Sequence, residues 1–384
     1  MPVPPIDEQF MARALELARQ GIGLASPNPY VGAVVVRDGK IEGEGTHTYA
    51  GLKHAEVLAL EAAADQARGA TLYLNLEPCC HTGRTGPCVD AVIAAGITRV
   101  VAAISDPNPL VAGKGFARLR AAGIETVTGI AADAARRLNE AFAKWIRTRK
   151  PLVTLKSAMT LDGRIAALPP GTAPEGAAAP RQRSWITGEM ARAHVHQLRH
   201  QADAILVGRG TVVADDPLLT DRSRRPRRRP LLRVVLDSML RLPLESKLVA
   251  SAQSDVVVFY TAENAERRRE LEQRGVRVEK VGVSNTFGRP DWSEVLARLG
   301  AMEITSVLIE GGSRINGAAL AAGVVDKVFL YYAPKILGNS GVPFAAGAGF
   351  ASLNEAGQVH SLSLQQIGED FAVEGYLRDP YGDL

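Results

Sequence analysis

Apolar side chains recur at helical spacing over residues 8–20 (EQFMARALELARQ), and Gly21 stops the run, so the pattern predicts a first helix there. The period then changes. Residues 31–36 and 41–45 read as strands on either side of Arg37-Asp38-Gly39-Lys40, whose Asp-Gly pair suits the positive φ values of a tight hairpin. Further on the pattern alternates, with helix expected at 54–65, strand at 71–76, helix at 88–95, strand at 98–104, helix at 114–122 and strand at 124–128. Strands interleaved with helices predict a layered α/β domain whose sheet is covered on both faces.

A charged stretch ending in proline, Arg147-Thr148-Arg149-Lys150-Pro151, favours an extended connection and marks the expected boundary between a domain at 1–147 and a second at 151–384. The second half opens with a strand at 152–158 and continues into residues 168–183, where four prolines among small residues predict a loop. A helix is expected at 188–200, strands at 204–208, 232–236 and 255–260, and a helix at 262–273. Strand-helix pairs follow to about 322, and strands near 325–332 and 360–377 complete another α/β domain that does not repeat the first.

Length agrees with two cores, since 384 residues exceed what one ordinary domain holds. A hydrophobic fraction of 46% against 22% charged is the balance of a globular protein, and no apolar run approaches the roughly 20 residues of a membrane span. The N-terminus MPVPPIDEQF has neither a basic nor an apolar leader region, so a cytoplasmic location and no membrane partner are expected. The net charge of +4 is local, because residues 222–229 (RSRRPRRR) hold six arginines. Nucleic acid is therefore not an expected partner, and this segment reads as a solvated loop, with a phosphate-facing loop or an RNA contact as alternatives.

The three cysteines all fall between Cys79 and Cys88. An odd number so closely spaced makes no disulfide framework and points to metal ligation or nucleophilic chemistry. His54-Ala55-Glu56 opens one predicted helix, and Pro78-Cys79 opens a second after the strand ending at Glu77. A catalytic zinc takes three imidazole or thiolate ligands and keeps one position for water, and thiolates are favoured where a helix begins. Glu56 lies two residues from His54, close enough to take a proton from that water and pass it to a ring nitrogen and to departing ammonia. This H-x-E with a later P-C and a second cysteine is the pattern of zinc nucleobase deaminases. The usual P-C-x-x-C is stretched here: CHTGRTGP separates Cys79 from Cys88, which leaves Cys80 as a rival ligand and adds His81 and Arg84 to the loop. His54, Cys79 and Cys88 are the expected ligands, since neighbouring residues rarely aim both sulfurs at one ion. A structural zinc site is the blander alternative, although such sites usually close the shell with four ligands.

Pro27-Asn28-Pro29 with Val31-Gly32, His54-Ala55-Glu56, LEPCCHTGRTGPC from Leu76, and Asp106-Pro107-Asn108-Pro109 with Val111-Ala112-Gly113 resemble the bifunctional riboflavin-biosynthesis deaminase/reductases. That resemblance implies a cytidine-deaminase-like α/β/α domain ahead of a dihydrofolate-reductase-like α/β domain. It implies zinc on His54, Cys79 and Cys88, Glu56 as proton shuttle, and a pocket drawing on Asn28, His47, Arg84, Asp106 and Asn108. Cys80 stands where the family commonly has serine.

In the second half, Val307 to Ser313 (VLIEGGS) reads as a buried strand running through two glycines into a helix, a place where backbone N–H groups can hold a pyrophosphate. The pattern is not G-x-G-x-x-G, so no Rossmann fingerprint is present. Lys156-Ser157-Ala158, Leu161-Asp162-Gly163-Arg164, Trp185-Ile186-Thr187, Ala214-Asp215-Asp216-Pro217 and Ala333-Pro334-Lys335 resemble the reductase half of the same family. The resemblance implies NADPH contacts at Ala158, Trp185, Thr211, Asp215 and Ser238, and along the turn Gly312, Ser313, Arg314, Ile315, Asn316, Gly317 and Ala318. It places Arg183, Arg199, Leu219, Arg222 and Glu310 on the substrate; it names no proton donor, for which Asp215 and Lys156 are the candidates. The implied chemistry is deamination of a phosphoribosylaminopyrimidine followed by reduction of its ribosyl group, in a homo-oligomer acting on small molecules. The competing enzyme reading is a nucleobase or RNA-editing deaminase whose second half binds a nucleotide.

Overall fold

The computed structural model describes residues 5–81, 86–168, 185–284, 288–347 and 356–382. It divides into two compact units, one formed by Met1–Arg149 with Pro226–Arg229 and the other by Lys150–Arg225 with Pro230–Leu384. The second half of the arginine-rich segment thus groups with the first unit, whereas the sequence placed all of it in the second domain.

In the first unit, α1 (Pro5–Arg19) precedes the hairpin of β1 (Gly32–Arg37) and β2 (Lys40–Thr46). Then come α2 (Ala55–Ala63), β3 (Thr71–Leu74), α3 (Cys88–Ala94), β4 (Arg99–Ala102), α4 (Lys114–Ala121), β5 (Glu125–Thr128) and α5 (Ala132–Thr148). The sheet order is β2-β1-β3-β4-β5, antiparallel at β1 and parallel from β3 to β5. Glycines place a helix on each face. A Cβ on Gly32 would collide with Ala14 of α1, whereas Cβ atoms on Gly43 and Gly45 would collide with Ala59 and Ala55 of α2. Gly45 lies opposite Ala33, one residue on from Gly32, so successive strand residues turn to opposite faces and the two helices sandwich the sheet. The alternation read from sequence therefore yields this layer. Helix α5 was not expected, although its apolar residues share one face at helical spacing; it continues through Arg147 and Thr148, so the connection shrinks to Arg149–Pro151.

The second unit begins with β6 (Leu152–Thr160) and β7 (Arg164–Ala167), followed by α6 (Glu189–Gln201), β8 (Ala204–Gly208) and α7 (Arg209–Asp215). It continues through β9 (Leu232–Leu236), α8 (Lys247–Ala250), β10 (Val256–Tyr260), α9 (Ala265–Gln273), β11 (Val276–Lys280) and the short pair β12 (Val283–Ser284) and β13 (Arg289–Pro290). After α10 (Trp292–Ala301), β14 (Ser306–Ile309), α11 (Ser313–Ala321), β15 (Lys327–Ala333) and β16 (Gly341–Pro343), the stretch expected as strand at 360–377 folds as a hairpin of β17 (His360–Ile367) and β18 (Asp370–Tyr376). The order of the main sheet is β11-β10-β9-β8-β14-β6-β15-β18-β17. It is parallel from β11 to β15 and antiparallel beyond.

Odd and even strand positions feed separate cores. Leu155, Leu206, Val234, Phe259 and Ile309 pack with Trp292, Val295 and Leu299 of α10 and Ala319 of α11. Ile205, Val207, Val235, Val258 and Leu308 pack on the other face with Val212, Leu248 and Leu271. Strands covered on both faces read as continuous Val/Leu/Ile runs, which is why β8, β9, β10 and β14 were plain in the sequence. No helix among the described residues is long and apolar enough to cross a membrane.

Candidate functional site

In the first unit the chemistry collects at two helix starts. His54 is the N-cap of α2 and Cys88 the first residue of α3, whereas Cys79, expected at a helix start, lies in irregular chain after β3, and the helix start belongs to Cys88 instead. The His54 Nδ1 atom is 3.0 Å from Cys88 Sγ and 3.5 Å from Cys79 Sγ. One ligand atom from each of the three residues lies within 4.8 Å of the others, close enough to share one ion. This nitrogen-and-two-sulfur set suits zinc, and an open fourth position is the arrangement of a catalytic site. Cys80 is half-buried and outside the cluster, and His81 is exposed. The backbone N–H of Cys88 points at Cys79 Sγ from 3.4 Å, as expected where a helix start faces a thiolate. Hydrogen bonding from Cys88, then from His54, holds the Cys79 thiol down to about 4. Its bond to Cys79 and burial push the Cys88 thiol up.

Glu56 sits in the first turn of α2 and is 4% exposed. Burial lifts its pKa above the ordinary carboxylate value, with His54 pulling against that rise. The His47 ring packs edge-on against His54, with ring centroids 5.2 Å apart. His47 Nδ1 lies 2.9 Å from the Lys53 carbonyl, which only accepts, so Nδ1 carries the proton and Nε2 accepts from Asn28 Nδ2 at 2.9 Å. Asp106 and Asn108 are both buried, and the Asn108 N–H donates to Asp106 Oδ1 at 2.8 Å. Burial pushes Asp106 up to about 7, and the charges of Glu77, Cys79 and Glu56 push the same way. Arg84 falls outside the described residues.

Glu77 escaped the sequence reading. Its carboxylate is 2% exposed and accepts from three backbone N–H groups, those of Asp106 (3.1 Å), Gly113 (2.9 Å) and Phe116 (3.2 Å). Its only signal in the sequence was an acidic residue ending a buried strand, a place where carboxylates are rarely buried without partners.

In the second unit the candidates gather at the carboxyl ends of parallel strands. The chain leaves β8 outward through β9 to β11 and returns to insert β14 between β8 and β6, so a topological switch lies between β8 and β14, where open α/β sheets bind ligands. Glu310 follows β14 directly. Its carboxylate takes two bonds from Arg199, at 2.7 and 3.1 Å, and lies 3.4 Å from the Lys156 ammonium of β6. Arg199 also donates to the Thr220 carbonyl at 3.0 Å, and Arg222 Nε lies 3.5 Å from Thr220 Oγ1. Arg199, Arg222, Glu310 and Lys156 are thus brought together, while Leu219, next to Thr220 in the chain, is buried in the core with Ile205 and Val235. Arg183 lies outside the described residues, as does most of the proline-rich loop.

Burial alone would raise the Glu310 pKa, but Lys156 and Arg199 hold it at about 2 against an ordinary 4.5. A depressed folded-state pKa means that this stabilisation is complete above 4.5 and is lost as the pH falls from there towards 2. Calorimetry across that window is expected to show the second unit melting at progressively lower temperature, with a flatter pH dependence in Glu310→Gln.

The nucleotide candidates converge less uniformly. A Cβ on Gly312 would stand 3.8 Å from Thr211 Oγ1, and a Cβ on Gly208 or Gly311 would press on Ile315, so these turns and the start of α11 are packed together. Ser313 Oγ and Asn316 Oδ1 are buried there without a hydrogen-bond partner among the described residues, while Asn316 Nδ2 donates to the Phe344 carbonyl at 2.9 Å. Orphaned acceptor and hydroxyl atoms beside a helix start fit a polar group such as a dinucleotide phosphate. Arg314, Gly317 and Ala318 follow on α11, Ser238 lies in the turn after β9, and Ala158 lies within β6. Asp215 ends α7 on its exposed side. Trp185 is 73% exposed, with Arg192 over its ring at 5.0 Å and Lys335 donating to its carbonyl at 3.0 Å.

Residues 4–104 match the cytidine and deoxycytidylate deaminase zinc-binding region, and residues 151–373 match the RibD C-terminal domain. The riboflavin biosynthesis protein RibD of Actinobacillus pleuropneumoniae is 41% identical over 97% of this chain and 96% of its own. Among solved structures, Acinetobacter baumannii RibD superposes with a TM-score of 0.82 at 37% identity, covering 97% of this chain and 98% of that one. A Thermotoga maritima protein described as a diaminohydroxyphosphoribosylaminopyrimidine deaminase/5-amino-6-(5-phosphoribosylamino)uracil reductase gives a TM-score of 0.81 at 36% identity over 97% and 98% of the two chains. Zinc and NADPH are the cofactors of the two halves. With its zinc-binding deaminase half and its reductase half joined along almost the whole length of these relatives, the chain belongs to the RibD family of bifunctional deaminase/reductase enzymes of riboflavin biosynthesis.

Proposed function

We propose that residues 1–147 deaminate 2,5-diamino-6-(5-phosphoribosylamino)pyrimidin-4(3H)-one and that residues 151–384 reduce the ribosyl group of the resulting uracil to ribityl. The observation that carries the first step is the convergence of His54, Cys79 and Cys88 beside the buried carboxyl of Glu56. Zinc held by those three residues supplies the Lewis acidity that makes water a nucleophile near neutral pH. Glu56 takes the water's proton, delivers it to the ring nitrogen and then protonates departing ammonia, a task suited to a carboxyl whose pKa burial has raised. Asn28, His47, Arg84, Asp106 and Asn108 hold the pyrimidine and its phosphosugar. The Nδ1–H tautomer of His47, fixed by the Lys53 carbonyl, leaves Nε2 to accept from the Asn28 amide and so fixes that side chain.

For the reduction, NADPH supplies the hydride. Gly312 to Ala318, Thr211, Ser238, Asp215, Trp185 and Ala158 hold the dinucleotide. Hydride reaches C1 of the ring-opened imine and a proton reaches its nitrogen. Lys156 is the group placed to give that proton, its ammonium being held by Glu310 within a network that also fixes Arg199. Arg183, Arg199, Arg222 and the Leu219 turn bind the sugar phosphate, for which the paired donors of guanidinium are well matched. The enzyme works in the cytoplasm as a homo-oligomer on small molecules, without nucleic acid or membrane; the thiolate ligands call for a reducing compartment.

Removing the metal separates the two activities. Chelation of the purified enzyme is expected to stop ammonia release from the diaminopyrimidinone and to leave NADPH oxidation with the deaminated uracil unchanged. Zinc added back restores the first activity. A chelated, zinc-free chain that still releases ammonia would sink the deaminase reading.

A further inference from the structure

Glu77 ties the segment that carries Cys79 to the segment that carries Asp106 and Asn108. Among the described residues no cation pairs with its carboxylate; both oxygens are spent on backbone N–H groups from one stretch of chain. Oε2 accepts from Asp106 at the start of that stretch and from Gly113 at its end, and Oε1 accepts from Phe116 in the first turn of α4. Gly113 is the N-cap of α4, in left-handed backbone at φ 79, and has no side chain to cap the helix. Glu77 therefore caps α4 from another part of the chain, placing negative charge where the helix dipole and the free N–H groups want it. Contact is close enough to require glycine at 115, where a Cβ would collide with the Pro78 carbonyl and stand 3.0 Å from Glu77 Oε1. Between the two ends, Asn108 N donates to Asp106 Oδ1 and Leu110 N to Asn108 Oδ1, so the intervening loop is folded on itself and anchored by Glu77.

We infer that Glu77 is a positioning residue of the deaminase: it fixes the distance between the metal-ligand segment beginning at Cys79 and the pocket formed by Asp106 and Asn108. The inference rests on the proposed deaminase pocket and adds the element that sets its dimensions. A carboxylate suits this place because two oxygens can serve three donors, whereas an amide offers one acceptor and turns its NH2 group onto one of them.

Two variants test this by different physical routes in the full-length, zinc-loaded enzyme. Glu77→Gln removes part of the tie, and Gly115→Ala pushes α4 off Pro78 while leaving the carboxylate intact. Both are expected to raise KM for the diaminopyrimidinone by about 10-fold or more, the worth of one lost bond to a charged group. In both, kcat falls far less, zinc content stays at the wild-type level, and NADPH oxidation with the deaminated substrate is unchanged. Combining Glu77→Gln with Asp106→Asn adds little to the KM of Asp106→Asn alone, because the first change acts through the second residue. Wild-type KM in either zinc-loaded variant, fully multiplicative effects in the double variant, or failure of both variants to fold with zinc would each overturn the inference. If wild-type enzyme releases no ammonia from this substrate, it is the substrate assignment that fails.

Discussion

Glu56→Gln is expected to lower kcat for ammonia release by about 10³-fold, with zinc content and NADPH oxidation unchanged. The replacement keeps the shape of a side chain that is 4% exposed, so the packing of α2 against the sheet is preserved. What it removes is the ability to accept and return a proton. Deamination needs that proton moved from water to the ring and on to the leaving amine, and among the described residues no other carboxylate is two positions from the His54 ligand on the same helix turn. The loss belongs in kcat more than in KM, because proton transfer is stronger in the transition state than in the bound ground state. Metal analysis of the variant separates this outcome from disruption of the site. A zinc-loaded Glu56→Gln enzyme that deaminates at the wild-type rate would remove Glu56 from the mechanism. Aspartate at this position is the complementary variant: it keeps the charge but withdraws it by one methylene, so some activity is expected to return.

The metal cluster was legible because its chemistry is local. His54 and Glu56 share one helix start, Cys79 and Cys88 flank one loop, and type and spacing suffice to group them. The buried parallel strands were legible for a similar reason, since a strand covered on both faces must be apolar at every position. What the sequence hid depends on distance along the chain. Glu77 reads as one more acidic residue until the fold brings residues 106–116 onto it, and the pairing of Lys156 with Glu310 spans 154 positions. Helix α5 was missed although its signal is present in the sequence: apolar and charged residues segregate onto opposite faces, with Ala135, Phe142, Ala143 and Trp145 buried at helical spacing. The grouping of Pro226–Arg229 with the first unit is a tertiary fact, invisible to a count of charges. Both halves nevertheless obey one rule that sequence can state: chemistry gathers where strands end and helices begin, because unpaired backbone N–H groups are available there.

Glu310→Ala is expected to abolish the reductase and to lower the melting temperature of the second unit by roughly 10 °C while deamination continues. Three charges meet at this point, with side-chain exposures of 10% for Glu310, 15% for Arg199 and 12% for Lys156. Removing the carboxylate strips two cations in a poorly solvated place of the counter-charge they share, leaving Arg199 with the charge of Asp221, and breaking such a pair typically costs about 3–5 kcal/mol. Arg199 would also lose the bidentate bond that aims it, while its bond to the Thr220 carbonyl remains. The same argument predicts a hierarchy. Glu310→Gln keeps the volume and one acceptor, so it is expected to melt higher than Glu310→Ala. Replacing the pair, Arg199→Met with Glu310→Leu, removes the stranded charge and is expected to recover much of the stability without recovering activity, because an apolar pair packs but binds no phosphosugar. Calorimetry and NADPH oxidation on the three variants decide the matter. If Glu310→Ala reduces the substrate at the wild-type rate, the network is structural only, and the proton donor of the reductase lies elsewhere than Lys156.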